Sequence, residues 1–407
     1  MSQRSRLILA MALTYLAYGM LLNTVGTVIL RSIASLGVTK SGAGWFDGCK
    51  DVSIAAVSFL TASYLTRIGI RRAMLGALAL SIAGSVLMPL AGAYWAICLH
   101  FVMIGTAFAF IKVGIYTLIG QVTDSPRAHA AMASIIEGCF MVGVLSVSVL
   151  FSLFVGRGLV DTSHDWLNVY WILAALCTVC LAVLLTTREI PAPASRETQS
   201  IFAMLALARL PLVMVFILCA FSYVFVEQGI GTWLPTFNNE VLRMPQSMSV
   251  LAGSLFAGSI ALGRLGGGVV IARFGWYRVV NVALATVTLA ILAIVPLSRQ
   301  LVPVSDWAHA PLAMYLFLAI GLCMAPIYPT LVSVLLSSSP KVRHAELMGL
   351  VVIFSALGGT TGSRLTAMLF SGLDGATAFG CMVLPIGVLA VGVTLLRRRQ
   401  LAAGAID

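Results

Sequence analysis

The sequence predicts an all-α membrane protein of twelve transmembrane helices in two six-helix bundles. Of the 407 residues, 60% are hydrophobic and only 10% are charged, whereas a soluble domain carries roughly 25% charged residues. The mean hydropathy is +1.03. A soluble fold cannot bury that much apolar surface, so the chain is expected to cross a bilayer repeatedly. Its apolar segments reach about 20 residues or more, which favours helices over the ~10-residue strands of a membrane barrel.

Charged, glycine, proline and serine residues separate the apolar segments from one another. The predicted spans are 7–30, 43–66, 73–92, 95–121, 131–155, 166–187, 209–236, 247–272, 278–297, 310–337, 345–372 and 376–396. A long polar connection, REIPAPASRETQSIFAMLALA, divides them six plus six. We therefore expect an N-terminal bundle over 1–187, a linker over 188–208 and a C-terminal bundle over 209–407.

The distribution of positive charge predicts the orientation of the spans. With the N-terminus inside, about 16 of the 25 Lys and Arg residues fall in cytoplasmic segments, as the positive-inside rule requires. Both termini are then cytoplasmic, and the basic start MSQRSR leads an uncleaved first span. We expect a multi-pass protein of a plasma membrane, the bacterial inner membrane. Because the net charge of +11 comes from short loops without a basic patch, we expect no nucleic-acid partner.

Three short segments of the first half recur about 206–216 residues later. The pairs are TRIGIRR (66–72) with ARFGWYR (272–278), GTAFAFI (105–111) with GLCMAPI (321–327), and SPRAHA (125–130) with SPKVRHAE (339–346). A repeated six-span half is typical of pseudo-symmetric transporters, which bind substrate at the interface between repeats.

The repeated R-x-G-x-x-R element resembles a loop motif of the major facilitator superfamily, which reads roughly G-x-x-x-D-R-x-G-R-R. The first copy matches at Arg67, Gly69, Arg71 and Arg72, with Ala62 and Thr66 in place of the leading Gly and the Asp. The second copy matches at Gly268, Arg273, Gly275 and Arg278, with Ala272 at the Asp position. With the twelve spans, the resemblance covers the whole chain. It implies two bundles that rock around a central cavity and a secondary active transporter without a cofactor.

Charged residues inside the predicted spans are the main functional candidates. They are Asp47, Lys50, Asp51, Lys112, Glu137, Glu227, Arg264 and Arg364. Because a charge at the bilayer centre costs about 2.5–3.5 kcal/mol even on the mildest scales, such residues face one another or a water-filled path.

The depth of each charge follows from a rise of 1.5 Å per residue. Lys112 and Glu137 both lie about 9–14 Å above the cytoplasmic ends of their spans, which predicts an ion pair. Arg264 lies at about 12 Å, and Glu227 and Arg364 lie at about 27–29 Å. Glu227 and Arg364 therefore fall in the outer parts of spans 7 and 11.

The stretch FDGCKD places Asp47, Lys50 and Asp51 on one helix face, at positions i, i+3 and i+4. One interpretation is a solvated helix start with acids at the positive end of the dipole. The other is a functional cluster, since Asp51 lies about 22 Å up. Asp47 is the member expected to reach water. The open question is whether Lys50 neutralises Asp51 permanently or in only one half of a transport cycle.

Three cations in the spans predict an anionic or zwitterionic substrate: Lys112, Arg264 and Arg364. Arginine binds carboxylates in a bidentate geometry. An Arg on span 8 and a cation on span 11 resemble the oxalate–formate and monocarboxylate branches of the superfamily. Span 4 is closer to the fucose-permease branch, which has an acid where this chain has Lys112.

The intramembrane acids predict proton coupling or gating. Asp47, Asp51, Glu137 and Glu227 can trade a proton for a cationic partner, and Lys50 is the nearest such partner for the first two. Other polar residues are expected to line the substrate path: Tyr15, Tyr18, Asn23, Gln228, Trp233 and Tyr328.

Helix-weakening residues predict two irregular spans. Gly229, Gly231 and Pro235 in EQGIGTWLP predict unwound backbone in span 7. The two prolines of APIYP, around Tyr328, predict a bend in span 10.

We therefore expect a proton-coupled, monomeric transporter of a small organic anion or zwitterion. The alternative is a proton-driven drug or metabolite exporter of the same fold. Span 5 reads EGCFMVGVLSVS and lacks the proline and several glycines of the superfamily's drug–proton antiporters. An enzyme is not expected, because no HExxH, GxSxG or Walker pattern is present.

Overall fold

The computed structural model describes residues 3–123, 126–156, 158–187, 206–299, 303–304, 306–339 and 344–402. All the regular secondary structure in these residues is helical, which confirms the predicted fold class. The helices of the first half are α1 (Gln3–Leu22), α2 (Val25–Leu36), α3 (Lys40–Ala43), α4 (Phe46–Ile68), α5 (Ile70–Ala91), α6 (Tyr94–Val122), α7 (Pro126–Ser152) and α8 (Val169–Leu185). The helices of the second half are α9 (Pro211–Glu240), α10 (Gln246–Phe274), α11 (Trp276–Leu297), α12 (Leu312–Met324), α13 (Ile327–Ser337), α14 (His344–Gly372), α15 (Gly375–Gly380) and α16 (Val383–Ala402).

The described residues contain eleven helical segments that are long and apolar enough to cross a membrane. The second predicted span corresponds to α4, whose 23 residues extend about 34 Å at 1.5 Å per residue. Each of the twelve predicted spans therefore has a helical counterpart, and the chain is a multi-pass membrane protein.

Two spans are interrupted. The first, predicted as one helix over 7–30, is divided into α1 and α2 at Asn23 and Thr24. The side chains of both residues donate hydrogen bonds to backbone carbonyls of the preceding turn, at 2.9 and 3.0 Å, and such bonds compete with the regular helix. The predicted bend in span 10 is confirmed, because α12 ends at Met324 and α13 begins after Pro326, which has no N–H to donate.

The predicted unwinding of span 7 is wrong. Helix α9 continues from Pro211 to Glu240 with Pro235 inside it. Its glycines serve helix packing instead: a Cβ at Gly229 would lie 2.9 Å from Oγ1 of Thr366 on α14. The close contact with α14 thus explains Gly229 without a break in the helix.

The chain forms two compact units. Unit 1 comprises the described residues within Met1–Thr39, Trp45–Gly156 and Val160–Thr198, and unit 2 those within Lys40–Gly44, Arg157–Leu159 and Gln199–Asp407. In unit 1, α1 packs on α7, and α6 packs on α4 and α5. In unit 2, α9 packs on α14 and α16, and α12 packs on α10 and α11. The predicted linker over 188–208 lies almost wholly outside the described residues.

Candidate functional site

The three charges at the start of α4 form one buried cluster in unit 1. The Lys50 Nζ atom lies 2.9 Å from Asp47 Oδ1 and 3.5 Å from Asp51 Oδ1. The side chains of Asp47, Lys50 and Asp51 are 0%, 8% and 13% exposed. The interpretation as a solvated helix start is therefore wrong, and Asp47 does not reach water as expected.

Tight packing against α6 causes this burial. A Cβ at Gly105 of α6 would lie 2.5 Å from the backbone oxygen of Lys50, so only glycine admits the contact. Phe46, next to the cluster, is fully buried and has the rings of Tyr94 and Phe101 5.7 and 5.8 Å from its own. Apolar contacts thus surround a group that sequence depth alone placed near the outer interface.

The α4 cluster carries one more carboxylate than ammonium. Oδ2 of Asp47 is buried and has no hydrogen-bond partner among the described residues. With both acids ionised the cluster has a net charge of −1, and one added proton makes it neutral. An uncompensated buried charge is costly. The cluster is therefore suited to take up one proton.

In unit 1, Glu137 of α7 is held by two tyrosines. Its Oε1 accepts hydrogen bonds from the hydroxyls of Tyr15 at 3.1 Å and Tyr116 at 2.5 Å. The Tyr15 ring packs on Phe108 and Phe140, with centroids 6.1 and 5.1 Å apart. This acid thus lies in an aromatic environment with neutral donors.

The predicted ion pair between Lys112 and Glu137 does not form within the described part of the chain. The Lys112 Nζ lies 5.9 Å from the centroid of the Phe108 ring in a cation–π contact. Tyr116 follows Lys112 by one turn on the same face of α6, and its hydroxyl takes the position next to the carboxylate. Helices α6 and α7 are in contact, as expected from the similar depth of Lys112 and Glu137. However, depth alone did not indicate which side chain of α6 contacts Glu137.

In unit 2, Glu227 of α9 pairs with Arg264 of α10. Arg264 Nη2 lies 3.4 Å from Glu227 Oε1, and the Tyr223 hydroxyl donates to the same oxygen at 3.2 Å. The side chain of Glu227 is 21% exposed and that of Arg264 is 47% exposed. The network therefore combines an acid, a cation and a neutral donor at a partly open position.

This pair corrects the predicted depths. The sequence separated Glu227 and Arg264 by about 15 Å along the bilayer normal. With the observed bounds, Glu227 is 16 residues from the start of α9 and Arg264 is 10 residues from the end of α10, so the difference falls to about 9 Å. Two long side chains bridge that distance.

The network extends through a second tyrosine. The rings of Tyr223 and Tyr328 stack with centroids 5.5 Å apart, and the Tyr328 hydroxyl hydrogen-bonds to Ser355 Oγ at 2.9 Å. Sequence reasoning missed Tyr223 and Ser355. Tyr223 had a signal, because it precedes Glu227 by four residues on the same helix face, whereas Ser355 had none.

Arg264 also lies at a cavity of about 490 Å³ within unit 2. The other polar lining residues are Trp276, Thr330, Ser333 and Gln400, and no acid is among them. A guanidinium has five N–H donors, and the single contact with Glu227 leaves donors able to bind an anion in the cavity. The arrangement can bind a carboxylate, and a proton on Glu227 would release Arg264 to do so.

The structure places Arg364 against Ser41 of α3. Its Nη1 donates to the backbone oxygen of Ser41 and, at 2.7 Å, to the Ser41 hydroxyl. The neighbouring Lys40 Nζ lies 2.5 Å from Glu240 Oε2. In this structure Arg364 anchors the short helix α3 on α14, and its expected role in substrate binding stays a prediction.

Two further predicted path residues lie in the interior of their units. The Tyr18 hydroxyl is 2.7 Å from Ser81 Oγ, and the residue is fully buried. Trp233 is also fully buried and donates its Nε1–H to Ser363 Oγ at 3.2 Å. Both serve packing, as aromatic residues in membrane helices often do.

The last two predicted path residues bond within their own helices or helix ends. The Gln228 side-chain oxygen accepts a hydrogen bond from Thr232 at 3.3 Å, one turn along α9. Asn23 bonds to Gly19 at the break that separates α1 from α2. Among the predicted substrate-binding residues, Tyr15, Arg264 and Tyr328 join networks around an intramembrane acid, whereas Lys112 lies apart over Phe108.

Comparisons with known proteins agree with this architecture. The family model of the Major Facilitator Superfamily matches residues 7–363. Comparison with curated protein sequences gives no match.

Among solved structures, the chain is similar to a bacterial homologue of the human lysosomal transporter Spinster, in an inward-facing and occupied conformation. The TM-score is 0.79 at 15% identity, over 99% of this chain and 98% of the other. A point mutant of the nucleoside transporter NupG gives 0.78 at 13% identity over 97% and 100%. A D-xylose–proton symporter gives 0.73 at 15% identity over 95% and 97%. At such identities the likeness shows a shared fold, and the family match over most of the sequence gives the assignment: this chain belongs to the Major Facilitator Superfamily and is a membrane transporter, not an enzyme.

Proposed function

We propose that the chain is a secondary active transporter that couples protons to the movement of a small organic anion or zwitterion. The observation that carries this proposal is the position of Arg264, which lies 3.4 Å from Glu227 and lines a cavity that has no acidic lining residue. Superfamily membership supports alternating access as the transport mechanism. That a D-xylose–proton symporter shares the fold supports proton coupling.

The coupling step follows from competition for one guanidinium. With Glu227 ionised, its carboxylate occupies Arg264. With Glu227 protonated, Arg264 is left without its anionic partner and binds the carboxylate of the solute in a bidentate geometry. Loss of the proton returns Glu227 to Arg264 and displaces the solute, so proton and anion travel together.

The α4 cluster offers a second proton position in unit 1. Lys50 serves Asp47 and Asp51 together at 2.9 and 3.5 Å, so one proton neutralises the cluster without breaking both contacts. We assign proton uptake to the acids of this cluster and a fixed countercharge to Lys50.

The test of the proposed function is Glu227→Gln in proteoliposomes. The solute is first identified by thermal-shift screening of the purified protein against carboxylates, amino acids, sugars and siderophores, because a bound ligand stabilises the folded state. We expect the variant to lose uptake driven by a pH gradient and to keep counterflow of the labelled solute, since Arg264 remains. Normal gradient-driven uptake by the variant would overturn the coupling role of Glu227.

We also infer placement in a bacterial inner membrane as a monomer with both termini cytoplasmic. The support is the excess of positive charge in one set of loops. A fluorescent protein that matures only in the cytoplasm, fused after the C-terminus, should fluoresce. A dark fusion of normal abundance would reverse the orientation.

A further inference from the structure

An apolar groove runs along the outside of α10 in unit 2. It has a volume of about 560 Å³. Its main lining residues are Leu262, Gly266, Val270 and Phe274 on α10, Val282 on α11 and Leu322 on α12. Leu262 and Val282 are 65% and 66% exposed, which in a membrane-spanning helix means contact with lipid or with another protein.

The length of the groove matches one leaflet. The groove follows α10 from Leu262 to Phe274, and the helix rises about 18 Å between these two residues at 1.5 Å per residue. Half of the hydrocarbon core is about 15 Å. A groove of that length accommodates an extended acyl chain of a single leaflet.

A cation closes one end. Arg278 lines the groove beside Phe274, and among the described residues it has no ion-pair or hydrogen-bond partner. The Arg273 guanidinium lies 5.6 Å from the centroid of the Phe274 ring at the same end. By the positive-inside expectation this end faces the cytoplasm, where basic residues between helices bind anionic lipid headgroups.

Glycine forms the floor of the groove. A Cβ at Gly263 would lie 2.3 Å from the backbone oxygen of Leu322, so α10 and α12 touch there. A Cβ at Gly266 would meet nothing within 4 Å. The space above Gly266 is therefore part of the groove and is not needed for contact between the helices.

We propose that this groove binds one anionic phospholipid, with an acyl chain along α10 over Gly266 and the headgroup phosphate on Arg278. The apolar walls select for a lipid chain, and the arginine selects for a negative headgroup. The site is separate from the Glu227–Arg264 pair and does not depend on what the protein transports.

The test is native mass spectrometry of the purified full-length protein with phosphatidylglycerol or phosphatidylcholine of identical chains. We expect wild type to retain one phosphatidylglycerol with about fivefold preference, since one arginine near an anionic lipid contributes about 1 kcal/mol. Arg278→Gln should abolish the preference and keep chain binding. Gly266→Leu should fill the groove and lose both lipids.

Gly387→Leu on α16 is the matched control, because Gly387 also has nothing within 4 Å of an added Cβ and lies outside the groove. It should retain lipid like wild type. Thermal unfolding checks that the leucine variants fold, and Gly266→Val replaces Gly266→Leu if the latter does not. Three outcomes would overturn the proposal. Wild type could retain both lipids equally, or the preference for phosphatidylglycerol could survive in Arg278→Gln. The Gly266 variant could also lose a protein dimer instead of lipid.

Discussion

Glu137 in unit 1 and Glu227 in unit 2 are the same residue type inside a membrane helix, yet their partners differ. Two tyrosine hydroxyls hold Glu137 at 3.1 and 2.5 Å, and the cation predicted for it lies over Phe108 instead. Glu227 has one tyrosine hydroxyl at 3.2 Å and a guanidinium at 3.4 Å.

These partners indicate which of the two acids can control an anion site. A protonated Glu137 still accepts hydrogen bonds from the two tyrosine hydroxyls, so its protonation frees no cation for a carboxylate. A proton on Glu227 releases a guanidinium, which binds a carboxylate by charge-assisted hydrogen bonds. Of these two acids, we therefore propose that Glu227 links its protonation to the binding of an anionic solute.

The largest effect on stability is expected at the α4 cluster of unit 1. Its ion pair is buried, whereas the Glu227–Arg264 pair of unit 2 is partly exposed. Lys50→Met leaves Asp47 and Asp51 without a cation. Breaking a buried pair in this way costs about 3–5 kcal/mol, so the melting temperature should fall sharply. The double variant Lys50→Met/Asp47→Asn should recover much of the loss. Unchanged stability of Lys50→Met would mean that water reaches the cluster.

The next effect separates the two cations. Arg264→Ala should weaken solute binding by at least about 30-fold, since removing one partner of a charge pair costs 2–5 kcal/mol. Lys112→Ala should change it only a few-fold, because the Lys112 Nζ contacts a ring and, within the described part of the chain, no acid. Solute-dependent thermal shifts measure both. Equal losses of solute binding in the two variants would contradict the proposed difference between Arg264 and Lys112.

A smaller effect is expected at Glu137. Glutamine still accepts hydrogen bonds from Tyr15 and Tyr116, so Glu137→Gln should keep gradient-driven uptake within about tenfold of wild type, the upper end of the effect of one ordinary hydrogen bond. In the sequence-based hypothesis Glu137 carries the proton. This hypothesis requires that Glu137→Gln abolishes gradient-driven uptake and keeps counterflow, and it requires the same of Asp51→Asn. Uptake against pH in proteoliposomes decides between them.

The smallest effects are expected from the tyrosine hydroxyls. Tyr223→Phe removes one donor from Glu227 and should lower uptake by about fivefold, corresponding to ~1 kcal/mol. Tyr116→Phe removes the shorter contact from Glu137 and should mainly lower thermal stability. A Tyr116→Phe variant with the greater transport defect would show that the aromatic environment of unit 1 takes part in transport.

The class and the plan of this protein can be predicted from its amino-acid sequence. Composition required a membrane, hydropathy located twelve spans, and APIYP marked the break before α13. These features depend on local composition and on the period of the helix, which a single sequence carries. The same holds for Asp47, Lys50 and Asp51, whose spacing within one turn made their contact predictable.

The contacts between side chains that are distant in the sequence became known only from the packing of the helices. Depth along the bilayer says nothing about helix rotation, so Lys112 was assigned to Glu137 although Tyr116 occupies that place. The estimated depths also placed Glu227 and Arg264 too far apart. Errors of a few residues in the predicted ends of two helices add up to several ångströms. The burial of Asp47 depends on the close approach of α6 at Gly105. The hydrogen bonds of Arg364 depend on the position of Ser41 in α3. Such contacts arise from packing between helices far apart in the chain, which no local pattern encodes.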